Sequence, residues 1–202
     1  KRLMTLQTIQ QPCNLILGSG SPRRRALLEA MGLSFEVLTA DITETYPEAL
    51  MGHQITDYLA LAKSNALRSQ CRDTDLILTA DTVVWFEGSV MEKPADLEKA
   101  RETLLRLSGN THQVITSVCF RQGDSNRVLH SVTEVRFDPL DSGMIEAYFK
   151  KGHPLDKAGA YGIQEWIGLT AVAGIRGSYT NVVGLPTQLV YKTLRDMGFP
   201  ML

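Results

Sequence analysis

The sequence has few cysteines, and none of them form close pairs. Its three cysteines, Cys13, Cys71 and Cys119, are too far apart for the paired spacings of zinc sites or disulfide frameworks. None of the four histidines falls in a metal-ligand spacing along the chain. These two absences argue against a zinc enzyme and against a disulfide-stabilised secreted domain, and they predict reduced thiols in the cytosol.

The sequence also lacks long apolar runs and a strong net charge. No segment approaches the ~20 apolar residues that a membrane-spanning helix needs, so we expect a soluble, cytoplasmic protein with no membrane partner. Lys and Arg number 21 against 22 Asp and Glu, which gives a formal net charge of -1 and no general basic field for nucleic acid. Any anion binding must therefore come from local clusters of basic residues.

One such cluster follows the first predicted strand. The apolar run Leu15–Leu17 ends at a glycine, and Ser21 with Pro22 forms an N-cap and first-turn pair for a helix. The residues 23–25 are all arginine, although the positive end of the helix dipole disfavours each by roughly 0.3–1 kcal/mol. Backbone N–H groups, hydroxyls and guanidinium groups together favour a phosphate there. The alternative is a solvated basic helix end, and no Gly-Lys-Ser/Thr follows that would make a Walker loop.

Strand and helix patterns alternate along the rest of the chain and predict an α/β domain around a mixed sheet. The most apolar strand candidate is Leu76–Val84, and it contains one carboxylate. Further predicted strands are 35–38, 113–120, 128–137 and 169–175, with 113–137 as a long hairpin. Predicted helices cover 56–69, 96–108 and 143–150, and another follows Pro186. Residues 156–164 are predicted to be an ordered loop with a short strand, and 177–179 a turn.

Two carboxylates and two lysines are candidates for chemistry. Asp81 lies inside the apolar strand, where an ionised group requires partners, whereas Glu44 lies in a polar loop. Each has a structural alternative, because a strand aspartate can bond to neighbouring backbone and a loop glutamate is usually solvated. Lys63 and Lys93 could likewise be ordinary surface charges. The residues alone leave these roles open.

The segment Ser19–Arg24 resembles the opening motif of the Maf (septum-formation inhibitor) family. Members of that family are nucleoside triphosphate pyrophosphatases with a fold like that of inosine triphosphatases. The resemblance continues over nearly the whole chain, in segments 61–66, 80–82, 92–94, 156–164 and 177–186. It implies one elongated α/β domain over 1–202, with a mixed sheet flanked by helices, two lobes with the active-site cleft between them, and a homodimer as in relatives. The chain departs from the family pattern at Glu165, often a glycine, and at His153, often acidic.

The resemblance also implies roles for individual residues. Asp81 matches the catalytic aspartate, and Glu44 lies where a glutamate helps to hold a divalent cation, either Mg²⁺ or Mn²⁺, to which two oxygen anions are suited. The substrate is a nucleoside triphosphate, cleaved to a nucleoside monophosphate and pyrophosphate to clear surplus or modified nucleotides. Residues implied to contact the substrate phosphates are Ser19, Ser21, Arg23, Arg24, Lys63 and Lys93.

The family has two main branches, one resembling dTTP and UTP pyrophosphatases and one acting on 7-methylguanosine triphosphate. They differ at three positions, here Arg23, Thr82 and Gln164, where the methylguanosine branch tends toward an aromatic residue, a glutamine and a glutamate. An uncharged Gln164 offers a donor and an acceptor to the imide edge of uracil or thymine, which predicts a preference for dTTP and UTP. The alternative is that Thr82 and Gln164 merely support their loops.

A different class of function is also compatible with the sequence. A nucleotide-binding regulator of cell division and septum formation could keep the phosphate site without being an enzyme. Such a regulator would have no need for Asp81, so the two hypotheses differ in whether nucleoside triphosphates are turned over.

Overall fold

Seven strands form one mixed sheet within residues 5–200, the part of the chain that this computed structural model describes. The strands are β1 (Leu15–Leu17), β2 (Glu36–Val37), β3 (Leu76–Phe86), β4 (Ser89–Met91), β5 (Thr111–Gln122), β6 (Ser125–Phe137) and β7 (Val172–Arg176). Their order is β2-β1-β3-β5-β6-β7, with β4 paired to β3. β1 is parallel to β2 and β3, whereas β4 is antiparallel to β3 and β7 antiparallel to β6.

The same residues contain seven α-helices. They are α1 (Pro22–Ala30), α2 (His53–Leu67), α3 (Leu97–Leu107), α4 (Ser142–Lys151), α5 (Trp166–Ala171), α6 (Tyr179–Val183) and α7 (Thr187–Asp196). The predicted α/β class with a mixed sheet flanked by helices is therefore confirmed. No helix in the described part of the chain has the length and apolarity that crossing a bilayer would require.

The chain divides into two compact units. One contains residues up to Asp81, Thr116–Ser131 and the residues from Gly184 onward, and the other contains Thr82–Ile115 and Val132–Val183. The prediction of one domain with two lobes and a cleft between them stays a prediction, and its range of 1–202 includes terminal residues outside the described ones.

Alternation along β1 explains how the first unit places helices on both faces of its strands. Leu15 and Leu17 belong to a buried cluster with Leu28 of α1 and with Val190 and Leu194 of α7. Ile16 points the other way and packs with Leu67 at the end of α2 and with Ile77 of β3. Successive strand residues face opposite sides, so three consecutive apolar residues bury both faces of a short strand.

Three segments differ from the structure that the sequence predicts. The predicted strand 169–175 is helical up to Ala171 and extended only from Val172, because the buried side chains of Ile167 and Ala171 lie one helical turn apart. Residues 156–164 contain no strand. Short 3₁₀ helices at Pro154–Asp156 and Ala158–Ala160 cover part of this segment. Gly159 and Ala160 have positive φ values of 69° and 61°, which are incompatible with an extended strand. The predicted turn 177–179 gives way to α6 at Tyr179.

The second unit contains a buried histidine that should make folding depend on pH. His112 lies against Phe137 and Tyr161, its Nε2 is 2.7 Å from the Tyr161 hydroxyl, and burial lowers its pKa from 6.5 to about 4. The unfolded chain therefore binds a proton below about pH 6.5 that the folded chain binds only near pH 4, so stability is lost as pH falls between these values.

The expected loss from this histidine is about 2 kcal/mol of unfolding free energy between about pH 7.5 and about pH 5. Urea unfolding of the natural chain and of His112→Gln at the two pH values measures it, since glutamine keeps a polar partner for Tyr161 but does not titrate. If both chains lost the same stability, His112 would not be the group responsible.

Candidate active site

The loop between β1 and α1 has the local geometry that the sequence predicts. The Gly18 N–H donates to the Leu78 carbonyl oxygen at 2.8 Å, which fixes the end of β1 against β3. Ser21 is the N-cap of α1, with its Oγ 3.5 Å from the Arg24 amide nitrogen, and Pro22 opens the helix. The Ser21 N–H donates in turn to Ser19 Oγ at 3.3 Å. Both serines are therefore part of the loop's own hydrogen bonding.

Gly18 is required by the close packing of this loop. A Cβ at Gly18 would lie 2.5 Å from Thr79 Cγ2 and 2.6 Å from Leu67 Cδ1, whereas one at Gly20 would come no nearer than 3.5 Å, to Thr39 Cγ2. We expect Gly18→Ala to lower the unfolding free energy by about 1–3 kcal/mol and Gly20→Ala to change it little. Urea unfolding of the two variants makes the comparison, and equal midpoints would show that the loop can relax around a methyl group.

Arg24 is directed back toward the loop by two hydrogen bonds. Its Nε donates to the Gly184 carbonyl oxygen at 2.8 Å, and its Nη1 donates to Ser19 Oγ at 3.2 Å. Burial lowers the pKa of Arg24, and the negative charges of Asp81 and Glu44 act in the opposite direction. The guanidinium stays charged at neutral pH. The structure thus places a fixed positive charge within electrostatic reach of both predicted acidic residues.

The other two arginines of the motif differ from Arg24. Arg25 is exposed and forms an ion pair with Glu29 one turn later, with 2.9 Å between Nε and Oε1. Arg23 is half-buried at the start of α1. The predicted role of Arg23 in substrate binding and base selection stays a prediction.

Lys63 joins the two predicted acidic residues. Its Nζ lies 2.6 Å from Asp81 Oδ1 and 2.6 Å from Glu44 Oε1. Asp81 is 5% exposed, whereas about half of the Glu44 side chain is exposed, at 49%. A buried carboxylate needs such a partner, because burial of an unpaired charge is costly. Helix α2, strand β3 and the loop after β2 therefore bring these three side chains together.

The Asp81 and Glu44 carboxylates fit the predicted divalent cation. Both have an oxygen in contact with the same ammonium group, so the two oxygens converge on one place. Two carboxylate oxygens are hard ligands of the type that Mg²⁺ and Mn²⁺ prefer, and such ions usually complete their coordination with phosphate oxygens and waters. The predicted role of Lys63 in binding phosphate stays a prediction, whereas the structure shows that Lys63 forms ion pairs with both acids.

Three predicted site residues belong to the second unit. Thr82 directly follows Asp81 in β3 and is half-buried. Lys93 is exposed just after β4, and Gln164 is exposed before α5. Their roles in binding phosphate or in recognising the base stay predictions.

The segment 156–164 contains a buried lysine that is not among the predicted site residues. Lys157 is 6% exposed, and its Nζ contacts Asp156 Oδ1 at 2.6 Å, Glu165 Oε1 at 2.7 Å and the His153 carbonyl oxygen at 2.7 Å. The Tyr148 hydroxyl also donates to Glu165 Oε2 at 2.5 Å. Burial raises the pKa of Glu165, but the bonds from Lys157 and Tyr148 outweigh this effect and hold it below its ordinary value.

The ion pair between Lys157 and Glu165 gives a structural role to the glutamate that departs from the family pattern. Glu165, in place of the usual glycine, receives bonds from Lys157 and Tyr148 and so connects α4 to the loop before α5. The available signal in the sequence was the pair of opposite charges, Glu165 and the lysine eight positions before it, because a buried charge needs an opposite partner.

Comparison with known proteins gives a match along almost the full chain. Residues 14–197 match the family model described as Maf-like protein. A dTTP/UTP pyrophosphatase of Phocaeicola vulgatus is 48% identical over 184 residues, which are 91% of this chain and 95% of the relative. A protein of the same name from Flavobacterium psychrophilum is 44% identical, over 92% of this chain and 95% of the relative. Another from Porphyromonas gingivalis is 43% identical, over 91% of this chain and 94% of the relative.

Two of the solved structures with a partial likeness to this chain are Ham1 proteins. A HAM1 protein from Coxiella burnetii has a TM-score of 0.47 and 14% identity, over 62% of this chain and 73% of that one. The Staphylococcus aureus Ham1 protein has a TM-score of 0.43 and 13% identity, over 61% of this chain and 71% of that one.

Proposed function

This chain belongs to the Maf family, and we propose on that basis that it hydrolyses nucleoside triphosphates, with dTTP and UTP preferred, to a nucleoside monophosphate and pyrophosphate. The observation that carries the proposal is the buried Asp81 carboxylate, 2.6 Å from Lys63, which also contacts Glu44. The names of relatives that are 41–48% identical over at least 91% of the chain support the substrate and the reaction. A cytoplasmic location, a homodimer and the clearing of surplus nucleotides remain predictions from the family resemblance.

Asp81 is the proposed general base. A water oxygen attacks the α-phosphorus, the bond from that phosphorus to the bridging oxygen breaks, pyrophosphate leaves, and the water proton passes to the Asp81 carboxylate. The Lys63 ammonium holds Asp81 Oδ1 in place, and its charge reduces repulsion between this carboxylate and the incoming phosphates. Asp81 is almost fully buried, and these electrostatic interactions are stronger there because the local dielectric constant is lower than in water.

Asp81 and Glu44 are the residues that would hold Mg²⁺ or Mn²⁺. When bound, such an ion supplies positive charge next to the phosphates. Basic side chains of the protein supply the rest of the positive charge that balances the substrate phosphates. Arg24, which is fixed by Gly184 and Ser19, is preorganised to face an anion, and Lys63 lies beside the two acids. Ser19, Ser21, Arg23 and Lys93 are proposed as further phosphate contacts.

The base is proposed to be recognised by Gln164, with Thr82 and Arg23 contributing. A panel of dTTP, UTP, dCTP, GTP and 7-methylguanosine triphosphate, with release of pyrophosphate as the readout, tests this proposal. We expect dTTP and UTP to have the highest kcat/KM values, and Gln164→Glu to reduce them by about tenfold, because a carboxylate cannot donate a hydrogen bond to a carbonyl of the pyrimidine. Gln188→Glu is the matched control, since it adds the same charge at an exposed glutamine of α7.

Two results would separate the parts of the proposal. Faster turnover of 7-methylguanosine triphosphate than of dTTP and UTP would remove the branch assignment while leaving the pyrophosphatase reaction in place. Equal loss in Gln164→Glu and Gln188→Glu would show a general effect of charge and no base contact at Gln164.

A further inference from the structure

A cluster of two histidines and one aspartate lies in the first unit, apart from the residues assigned to the reaction. His53 and Asp57 occupy the first turns of α2, one turn apart, and His130 lies on β6. His53 Nδ1 is 3.0 Å and His130 Nδ1 is 3.4 Å from Asp57 Oδ2, and the imidazole rings stack with 4.1 Å between their centroids. All three side chains are partly exposed, so an ion in solution can reach them.

The dimensions and chemistry of this cluster suit a transition metal. Each residue offers one ligand atom, and the three atoms lie within 4.8 Å of one another. Metal–ligand bonds of about 2.0–2.1 Å in a tetrahedron separate neighbouring ligand atoms by about 3.3 Å, close to the observed nitrogen–oxygen distances. The two rings are nearly parallel, with 14° between their planes, so the partly exposed imidazoles must tilt for both nitrogen lone pairs to point at one ion. Two imidazoles and one carboxylate form a common three-ligand set for Zn²⁺, with water as the fourth ligand. We propose that His53, Asp57 and His130 bind one divalent transition metal ion of the zinc class.

Buried hydroxyl groups support the proposed ligand Asp57 from behind. The Ser117 hydroxyl donates to Asp57 Oδ1 at 2.6 Å, and Ser117 Oγ is itself 2.6 Å from Thr56 Oγ1. Ser117 and Thr56 are both fully buried, at 0% exposure. Metal-binding carboxylates characteristically have outer hydrogen bonds of this kind, which orient the oxygen that faces the ion. Oδ2 of Asp57 thus faces the two histidines, while the hydrogen bond from the buried Ser117 hydroxyl holds Oδ1 in place.

This site differs in selectivity from the Asp81 and Glu44 pair. Imidazole nitrogens favour zinc-class ions over Mg²⁺, whereas two carboxylates favour Mg²⁺. The bound ion would join the start of α2, the helix that also carries Lys63, to strand β6. The histidine spacing along the chain did not reveal the site, because His130 is brought to α2 only by folding.

A Zn²⁺ titration of the untagged full chain, stripped with a chelator and then freed of it, tests the proposal. Calorimetry in excess Mg²⁺, which occupies the carboxylate pair, is expected to give one Zn²⁺ per chain. The double variant His53→Ala/His130→Ala should lose on the order of 100-fold in Zn²⁺ affinity, and Ser117→Ala about tenfold or more. His153→Ala is the matched control, because it removes an exposed histidine elsewhere and should bind Zn²⁺ like the natural chain.

A second readout reports the coordination directly. Co²⁺ in place of Zn²⁺ should give the intense visible absorption of a four-coordinate ion in the natural chain and lose it in the double variant. Circular dichroism and pyrophosphate release with Mg²⁺ should be unchanged in the double variant, since neither histidine is assigned to the reaction. Undiminished Zn²⁺ binding by the double variant, or its displacement by Mg²⁺, would overturn the site. Neither result would bear on the proposed hydrolysis of nucleoside triphosphates.

Discussion

Replacing Asp81 by asparagine is expected to reduce kcat for dTTP by at least about 100-fold without unfolding the protein. Asparagine has nearly the same shape as aspartate but cannot accept the proton of the attacking water. In Asp81→Asn the Lys63 ammonium would still pair with Glu44, so the substitution does not leave the lysine without an ionic partner. Steady-state kinetics, with circular dichroism to verify the fold, measures the loss.

Asp75→Asn provides a matched control for this prediction. Asp75 and Asp81 are almost equally buried, at 6% and 5% exposure, but Asp75 precedes β3 and pairs with Arg72. The control variant should keep turnover close to that of the natural chain, although its stability is expected to fall. Near-normal turnover by Asp81→Asn, or equal losses in the two variants, would remove Asp81 from the role of general base.

Removal of divalent cations is expected to abolish turnover, and Mg²⁺ or Mn²⁺ should restore it. The carboxylates of Asp81 and Glu44 share Lys63 and supply hard oxygen ligands at one place. Glu44→Gln keeps the size of the side chain but weakens a charged ligand, so it should raise the Mg²⁺ concentration needed for half-maximal rate by about tenfold. Kinetics in chelator and in a Mg²⁺ titration give both quantities.

The proposed zinc-class site requires a control in the metal experiment. A chelator would also remove an ion held by His53, Asp57 and His130. The His53→Ala/His130→Ala variant should show the same loss in chelator and the same recovery with Mg²⁺, which would assign the requirement to the carboxylate pair. Full turnover in excess chelator would contradict the metal part of the mechanism.

Local signals predicted the elements that depend on neighbouring residues. Ser21 and Pro22 start α1 as an N-cap and first-turn pair, and Asp96 caps α3 by accepting a bond from the Lys99 N–H at 2.8 Å. Each cap involves residues within one helical turn, so the local sequence is sufficient to predict where the helix starts. The β5–β6 hairpin was likewise predicted, because its turn residues lie between two β-rich runs.

Features that depend on distant contacts could not be predicted in the same way. The segment before Val172 has side chains suited to a strand, but burial of Ile167 and Ala171 on one side favours a helix. The resemblance to the Maf family indicated Lys63, Asp81 and Glu44, yet their ion pairs follow only from the packing of α2 next to β3. No pattern along the chain brings together His130 and the start of α2.

Hydrolysis of dTTP in water enriched in ¹⁸O tests the central claim most directly, with phosphorus NMR and mass spectrometry of the products. If water attacks the α-phosphorus, the products are dTMP carrying one ¹⁸O atom and pyrophosphate carrying none. Formation of dTDP and inorganic phosphate, label in the pyrophosphate, or no turnover with Mg²⁺ or Mn²⁺ would contradict the proposed reaction.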